Sequence, residues 1–132
     1  MAKTIAEKLL VRAGVAVWVW PAARLSLVGA LPAGSFVAEG FEAAAVVVLF
    51  VDDAASARGA LAAHREHLAN PPILWIAYPK SNRTDINRDT LWPVAVEYNL
   101  RPIAQVAIDE VWSALRFRPL KPGEGPFVGP GG

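Results

Sequence analysis

Three stretches of the chain run without a charged or amide side chain: residues 15–20 (Val-Ala-Val-Trp-Val-Trp), 44–51 (Ala-Ala-Val-Val-Val-Leu-Phe-Val) and 73–78 (Ile-Leu-Trp-Ile-Ala-Tyr). Apolar continuity without alternation is the pattern of strands covered on both faces, as in the middle of a parallel sheet. Each run stops at a sharp signal: Pro21, the pair Asp52 and Asp53, and Pro79 followed by Lys80. Helical spacing fills the intervals. Thr4 and Glu7 have capping-box spacing, and Ile5, Leu9 and Leu10 supply the apolar face of a leading helix that ends near Gly14. Residues 22–28 predict a short helix, 31–35 a turn, and 36–38 a brief strand. Asp52 or Asp53, with Ser56 close behind, caps a helix running to about Leu68, with Ala57, Ala60, Leu61 and Leu68 facing inward.

Past residue 79 the pattern changes to a dense polar loop, 80–89, and then to a helix ending near Asn99. Proline costs about 3 kcal/mol in a helix interior, so Pro93 predicts a helix that starts near Asp89 or Thr90, or one kinked at Pro93. Asp85, Asn87 and Asp89 are alternative caps. Residues 101–108 and 112–118 are two strand-like runs three residues apart, which is hairpin spacing. Arg116 and Arg118 alternate there with Leu115 and Phe117, the pattern of a half-exposed edge strand, and edge strands pair across dimers. The sum is an α/β fold: a three-layer Rossmann-like sheet, mostly parallel, closed by a C-terminal antiparallel hairpin. A chain of 132 residues, 54% hydrophobic, has material for one core and too little for two. Residues 1–118 are expected to form one domain and 119–132 a Pro/Gly-rich tail without regular structure.

Thirteen Lys and Arg against twelve Asp and Glu leave a formal charge of +1, so no broad basic field exists and no nucleic-acid partner is expected. The absence of Cys excludes disulfides, thiolate metal sites and a Cys nucleophile. No secretory h-region opens the chain, and every apolar run is shorter than the roughly 18 residues a membrane span needs. A cytoplasmic protein without membrane association is expected.

Tyr78-Pro79-Lys80, the string Thr-Asp-Ile-Asn-Arg-Asp-Thr-Leu-Trp at 84–92, and Val-Ala-Ile-Asp-Glu-Val-Trp-Ser-Ala-Leu-Arg-Phe-Arg at 106–118 resemble a family of small bacterial proteins known as a domain of unknown function. The resemblance covers roughly residues 6–119, most specifically in the second half, and implies a fold without a chemistry. The order of elements is also similar to class I methyltransferases that use S-adenosylmethionine. Those proteins follow their first strand with a glycine-rich turn. Here Pro21, Ala22, Ala23 and Arg24 follow, and no glycine occurs before Gly29. A degenerate cofactor site is expected, and no cofactor. Glu39 lies about 20 residues past the first strand, where dinucleotide folds place a ribose-binding acid, but a solvated loop acid has the same spacing.

The loop after residue 79 is the strongest candidate for chemistry, because open α/β sheets bind ligands beyond the carboxyl ends of their strands. Lys80, Arg83 and Arg88 supply positive charge, Thr84 a hydroxyl, and Asp85 and Asn87 polar atoms, beside a helix start whose amides favour anions. Either these groups form an open pocket for a phosphate or carboxylate, or Asp85, Asn87 and Asp89 cap the helix and pair with the arginines. His64 and His67 stand three apart on a helix with no third ligand evident, so no metal is expected. No serine lies in a Gly-x-Ser-x-Gly elbow. Tyr78, Trp92, Trp112 and Phe117 are read as core, or alternatively as a pocket wall or a subunit contact. The preferred function is a non-catalytic binding or regulatory module, a candidate homodimer; the alternative is a small-molecule anion or nucleotide-binding protein, or a methyltransferase-like enzyme, using the pocket at 79–90.

Overall fold

The three continuous apolar runs lie side by side. In a computed structural model, which describes residues 4–80 and 84–125, they become β1 (Ala16–Trp20), β3 (Val46–Phe50) and β4 (Ile73–Pro79), paired in parallel in the order β1-β3-β4. The two-residue β2 (Phe36–Val37) adds in parallel outside β1. β5 (Leu100–Ala107) and β6 (Trp112–Pro119) form the hairpin, and the complete order is β2-β1-β3-β4-β6-β5. The sheet is therefore the expected mixed α/β sheet, mostly parallel with an antiparallel C-terminal pair.

One feature of the hairpin departs from the pattern read in the sequence. β6, which carries Arg116 and Arg118, is an interior strand that pairs antiparallel with β4 on one side and β5 on the other. The open edge is β5, interrupted by Pro102 and by a register shift between Pro102 and Ala104, two features that discourage further strand addition. Alternation of charge and apolar residues does not separate the two cases, because both arginines lie in the second half of β6, where their side chains are half-buried.

Side chains alternate across the sheet and divide the core in two. On one face Val47, Leu49, Leu74, Ile76, Leu115 and Phe117 pack beneath α2 (Ala54–Ala63) and α3 (Arg88–Val96). On the other, Val46, Val48, Phe50, Trp75, Ala77 and Ala114 lie beneath α1 (Ile5–Lys8) and a 3-10 helix, Ala22–Val28. The capping box at Thr4 forms, its hydroxyl accepting from Glu7 N at 3.1 Å. The helix it starts is only one turn long, shorter than expected, because Leu10 takes a left-handed φ of 66° and sends Leu9 and Val11 into the core. Trp75 Nε1 donates to the freed Leu9 carbonyl at 2.8 Å, a buried bond that ties this layer to the sheet.

Helix α2 begins at the expected place: Asp53 Oδ1 accepts from Ser56 N at 2.8 Å, and Ser56 Oγ accepts in return from Asp53 N at 3.1 Å. α3 starts at Arg88, capped by Asn87, one residue before the positions Pro93 suggested. Pro93 is its sixth residue and lies on the exposed side, where Asp89 O loses only a solvent-facing donor. Beyond β6, Glu124 folds back onto Arg118 through two bonds of 2.8 Å and accepts from Lys121 N at 3.0 Å. Residues 126–132 of the expected tail lie outside the described residues.

Trp75→Phe removes the indole N–H together with part of the ring, stripping Leu9 O of its donor and leaving a small void inside the core. The variant should lose about 1–3 kcal/mol, read as a lower urea midpoint at unchanged slope. The Glu124 carboxylate, held by the Arg118 guanidinium, the Lys121 amide and the more distant charge of Arg101, is pulled down to about 2 from an ordinary 4.5. A depressed carboxylate stabilises fully above its unfolded value, so this contribution should fade as pH falls below 4.5 and vanish once pH passes about 2. Acid titration of Glu124→Gln should show a shallower loss of stability over that window than the native chain.

Candidate functional site

The strand order reverses between β1 and β3: from β1 the chain moves outward to β2, then back across to β3. In open sheets the crevice at such a reversal is the usual ligand position. Here it is bridged. The chain leaves β1 through Pro21 directly into the 3-10 helix, and Arg24 Nη2 reaches Asp52 Oδ1, beyond the end of β3, at 3.2 Å. The same guanidinium lies 5.0 Å from the ring centroid of Trp112, which in turn meets Phe50 edge-on at 5.2 Å. Gly29, with φ 80°, closes the 3-10 helix and is too far along the chain to make a tight turn at the strand end. Glu39 is exposed, just past β2.

Two strands away the situation is different. A cleft of about 590 Å³ opens at the carboxyl end of β4, between the start of α3 and the hairpin. Its position follows from register: β6 places Ser113 opposite Tyr78, and β5 places Ala107 opposite Ser113. Small side chains at Ala107 and Ser113 leave a hollow where bulkier ones would pack. Backbone bonds fix the walls. Lys80 N donates to Val111 O at 2.7 Å, and Asp109 Oδ1 accepts from Val111 N and Trp112 N, both at 2.8 Å, so the hairpin turn is locked to the end of β4.

Lys80, Asn87 and Arg88 converge on this cleft, as the sequence suggests. Thr84 and Asp85 turn away. Thr84 Oγ1 accepts from Ile86 N at 3.2 Å, and Asp85 Oδ1 accepts from Ala54 N at 2.8 Å, at the start of α2. The fully buried Ile86 that follows them anchors this part of the loop in the core. Arg83 lies outside the described residues. Asn87 Oδ1 accepts from both Asp89 N, at 2.8 Å, and Thr90 N, at 3.1 Å, so these helix-start amides are already satisfied and the anion-attracting role passes to side chains.

The charges do not cancel. Arg88 Nε lies 3.4 Å from Asp89 Oδ1 in an exposed pair, whereas the Lys80 ammonium donates to the neutral Asp109 carbonyl. Among the described residues, two cations and one carboxylate therefore line the cleft. Its floor is neutral and polar: Gln105 Nε2 donates to Tyr78 Oη at 2.8 Å and lies 3.4 Å from Ser113 Oγ, which donates to Val106 O at 2.9 Å. Tyr78 is only 4% exposed and Ser113 5%. Gln105 and Ser113 were not among the sequence candidates. Each is the one uncharged polar residue of its strand, a signal that becomes readable only once the hairpin's register against β4 is known.

The remaining candidates have structural partners. Trp112 and Phe117 are core residues, and Trp92 packs half-buried against the α3 side of the core. His64 is stacked on Phe41 at 4.8 Å and meets Trp18 edge-on at 5.0 Å. Burial, and to a lesser degree the neighbouring His67, pushes its imidazole below the ordinary value, against a smaller opposing pull from Glu42. His67 Nδ1 lies 3.3 Å from the Asn70 amide. Among the described residues no group of three or more His, Cys, Asp or Glu side chains is placed to hold a metal, and no helix is long and apolar enough to cross a membrane.

Solved structures share this architecture. A putative tRNA methyltransferase from Streptococcus pneumoniae superposes with a TM-score of 0.55 at 11% identity, over 92% of this chain and 72% of its own. A protein of the NADB-Rossmann superfamily from Streptococcus agalactiae superposes with a TM-score of 0.53 at 10% identity, over 89% of this chain and 68% of its own. At such identities the likeness is one of fold. No family model matches the sequence, and no curated protein matches it.

Proposed function

We propose that this chain is a binding or regulatory module on a methyltransferase-like Rossmann scaffold, and that its ligand is a small anion held in the cleft at the end of β4. The observation that carries the reading is the Lys80 ammonium: it lines the cleft and donates to the neutral Asp109 carbonyl, so its charge is available to a phosphate or carboxylate. Arg88, whose exposed pair with Asp89 is worth at most about 1 kcal/mol, is cheaply recruited to the same anion. The bridged reversal between β1 and β3 supports binding without methyl transfer, since Arg24, Asp52 and Trp112 occupy the place where an open sheet receives a cofactor.

On this reading the chain is an intracellular member of the small bacterial group marked by the strings at 78–80, 84–92 and 106–118. A methyltransferase-like enzyme is the rival, favoured by the fold of the tRNA methyltransferase neighbour. The two are separable by what stabilises the protein. Inorganic phosphate should raise the melting temperature of the native chain, and Lys80→Met or Arg88→Met should remove most of the rise, while Arg24→Met leaves it in place. Indifference to phosphate, or stabilisation by S-adenosylmethionine that only Arg24→Met perturbs, would overturn the proposal.

A further inference from the structure

Counting protons on the floor of the cleft leaves one without an acceptor. Ser113 Oγ donates to Val106 O at 2.9 Å, so towards Gln105 it can only accept. That orients the Gln105 amide with its nitrogen inward, 2.8 Å from Tyr78 Oη and 3.4 Å from Ser113 Oγ. The Tyr78 hydroxyl oxygen is therefore the acceptor in its bond with Gln105, and its own proton meets no acceptor among the described residues. Tyr78 is only 4% exposed, yet it lines the cleft. A buried donor left unmet costs more than an ordinary hydrogen bond gives, so native structures rarely hold one without a purpose.

The other half of the same amide is unmatched too. With Nε2 turned to Tyr78 and Ser113, Gln105 Oε1 has no donor among the described residues. A neutral donor and a neutral acceptor on two bonded groups fit a hydroxyl, which accepts from one and donates to the other. An ionised phosphate or carboxylate oxygen only accepts, and would leave Gln105 Oε1 unpaired.

We infer that the cleft takes a hydroxyl-bearing phosphate monoester, a sugar or polyol phosphate, with its phosphate on Lys80 and Arg88 and a hydroxyl between Tyr78 and Gln105. This rests on the anion reading above and names the class of its ligand. Size agrees, since 590 Å³ lies within the roughly 300–1,000 Å³ of sites for small organic molecules and far exceeds what an inorganic anion fills. The lining agrees as well. Among the described residues only Pro79, Val106 and Ala107 contribute apolar side chains to it, whereas sites for apolar ligands are lined mainly by such groups. Charge limits the number of phosphates: Lys80 and Arg88 against Asp89 leave one net positive charge, which suits a single phosphate and not a diphosphate.

Calorimetric titration of the full chain with inorganic phosphate, ethyl phosphate and ribose phosphate tests this, because the two esters carry the same charged group and only one bears free hydroxyls. Ribose phosphate should bind roughly five- to a hundredfold more tightly than ethyl phosphate, the range that two ordinary hydrogen bonds supply. Tyr78→Phe, which keeps the ring and loses the donor, should erase most of that ratio. Gln105→Met, at an exposed position where folding is not at stake, should reduce it about two- to tenfold, and decides the matter alone if Tyr78→Phe does not fold. If all three compounds fail to bind, the anion reading and this inference fall together. If inorganic phosphate and ethyl phosphate bind and ribose phosphate binds no more tightly, or keeps its advantage in both variants, the anion reading stands and the hydroxyl site does not.

Discussion

The insertion of β6 between β4 and β5 is the constraint on which the site depends. Antiparallel pairing along β4 sets Ser113 against Tyr78 and brings Trp112 beside Pro79 at the carboxyl edge of the sheet. From there each consequence is local. β5 is carried outward, so that Gln105 reaches back across β6 to the Tyr78 hydroxyl, and the hairpin turn is returned to Lys80, which binds it through both its amide and its ammonium. A hairpin displaced by one residue would exchange the two faces of β6, placing Ser113 and Leu115 where Trp112 and Ala114 now pack. That register is strongly enforced, because Ala114 and Leu115 are buried on opposite sides of the sheet.

The same strand also closes the alternative site. Trp112 presents its ring to Arg24, and Arg24 reaches across to Asp52, so the side chains beyond β1, β3 and β6 are linked. None of these contacts is strong. A cation–π contact near the surface is worth about 0.5–1 kcal/mol and the half-exposed ion pair about 0–1 kcal/mol. Their effect comes from position. They lie over the one crevice that the topology would otherwise leave to a ligand, next to a strand end that has no glycine to bring backbone close. The scaffold thus keeps its architecture with this crevice bridged, and the open cleft lies instead at the carboxyl end of β4.

Much of this fold was legible in the sequence because burial on both faces removes polar residues altogether. The runs at 15–20, 44–51 and 73–78 reveal their strands for that reason, and the acids after residue 51 reveal the next helix because an N-cap needs an acceptor. The site was legible in part. Lys80 follows the end of β4 directly, and Asn87 and Arg88 stand at the start of the next helix, a place the polar loop and its caps mark in the sequence. Asp85 could not be assigned, because its partner is the amide of Ala54, 31 residues away and on another helix. Gln105 and Ser113 belong to the site through strand pairing, which apolar periodicity does not encode. The arginines of β6 suggested an open edge because charge marks exposure without saying whether the exposed part lies at the side of a sheet or at its end.

On the proposed reading, ligands enter beside β4 and the hairpin, with the β1–β3 reversal bridged. Nuclear magnetic resonance tests it most directly, by following amide and side-chain amide signals while phosphate is added to the native chain. The account predicts saturable shifts centred on Lys80, Ser113 and the side-chain amide of Gln105, with Arg24, Asp52 and the backbone of the 3-10 helix unmoved. Shifts centred on Arg24 and Asp52, with Gln105 silent, would contradict it.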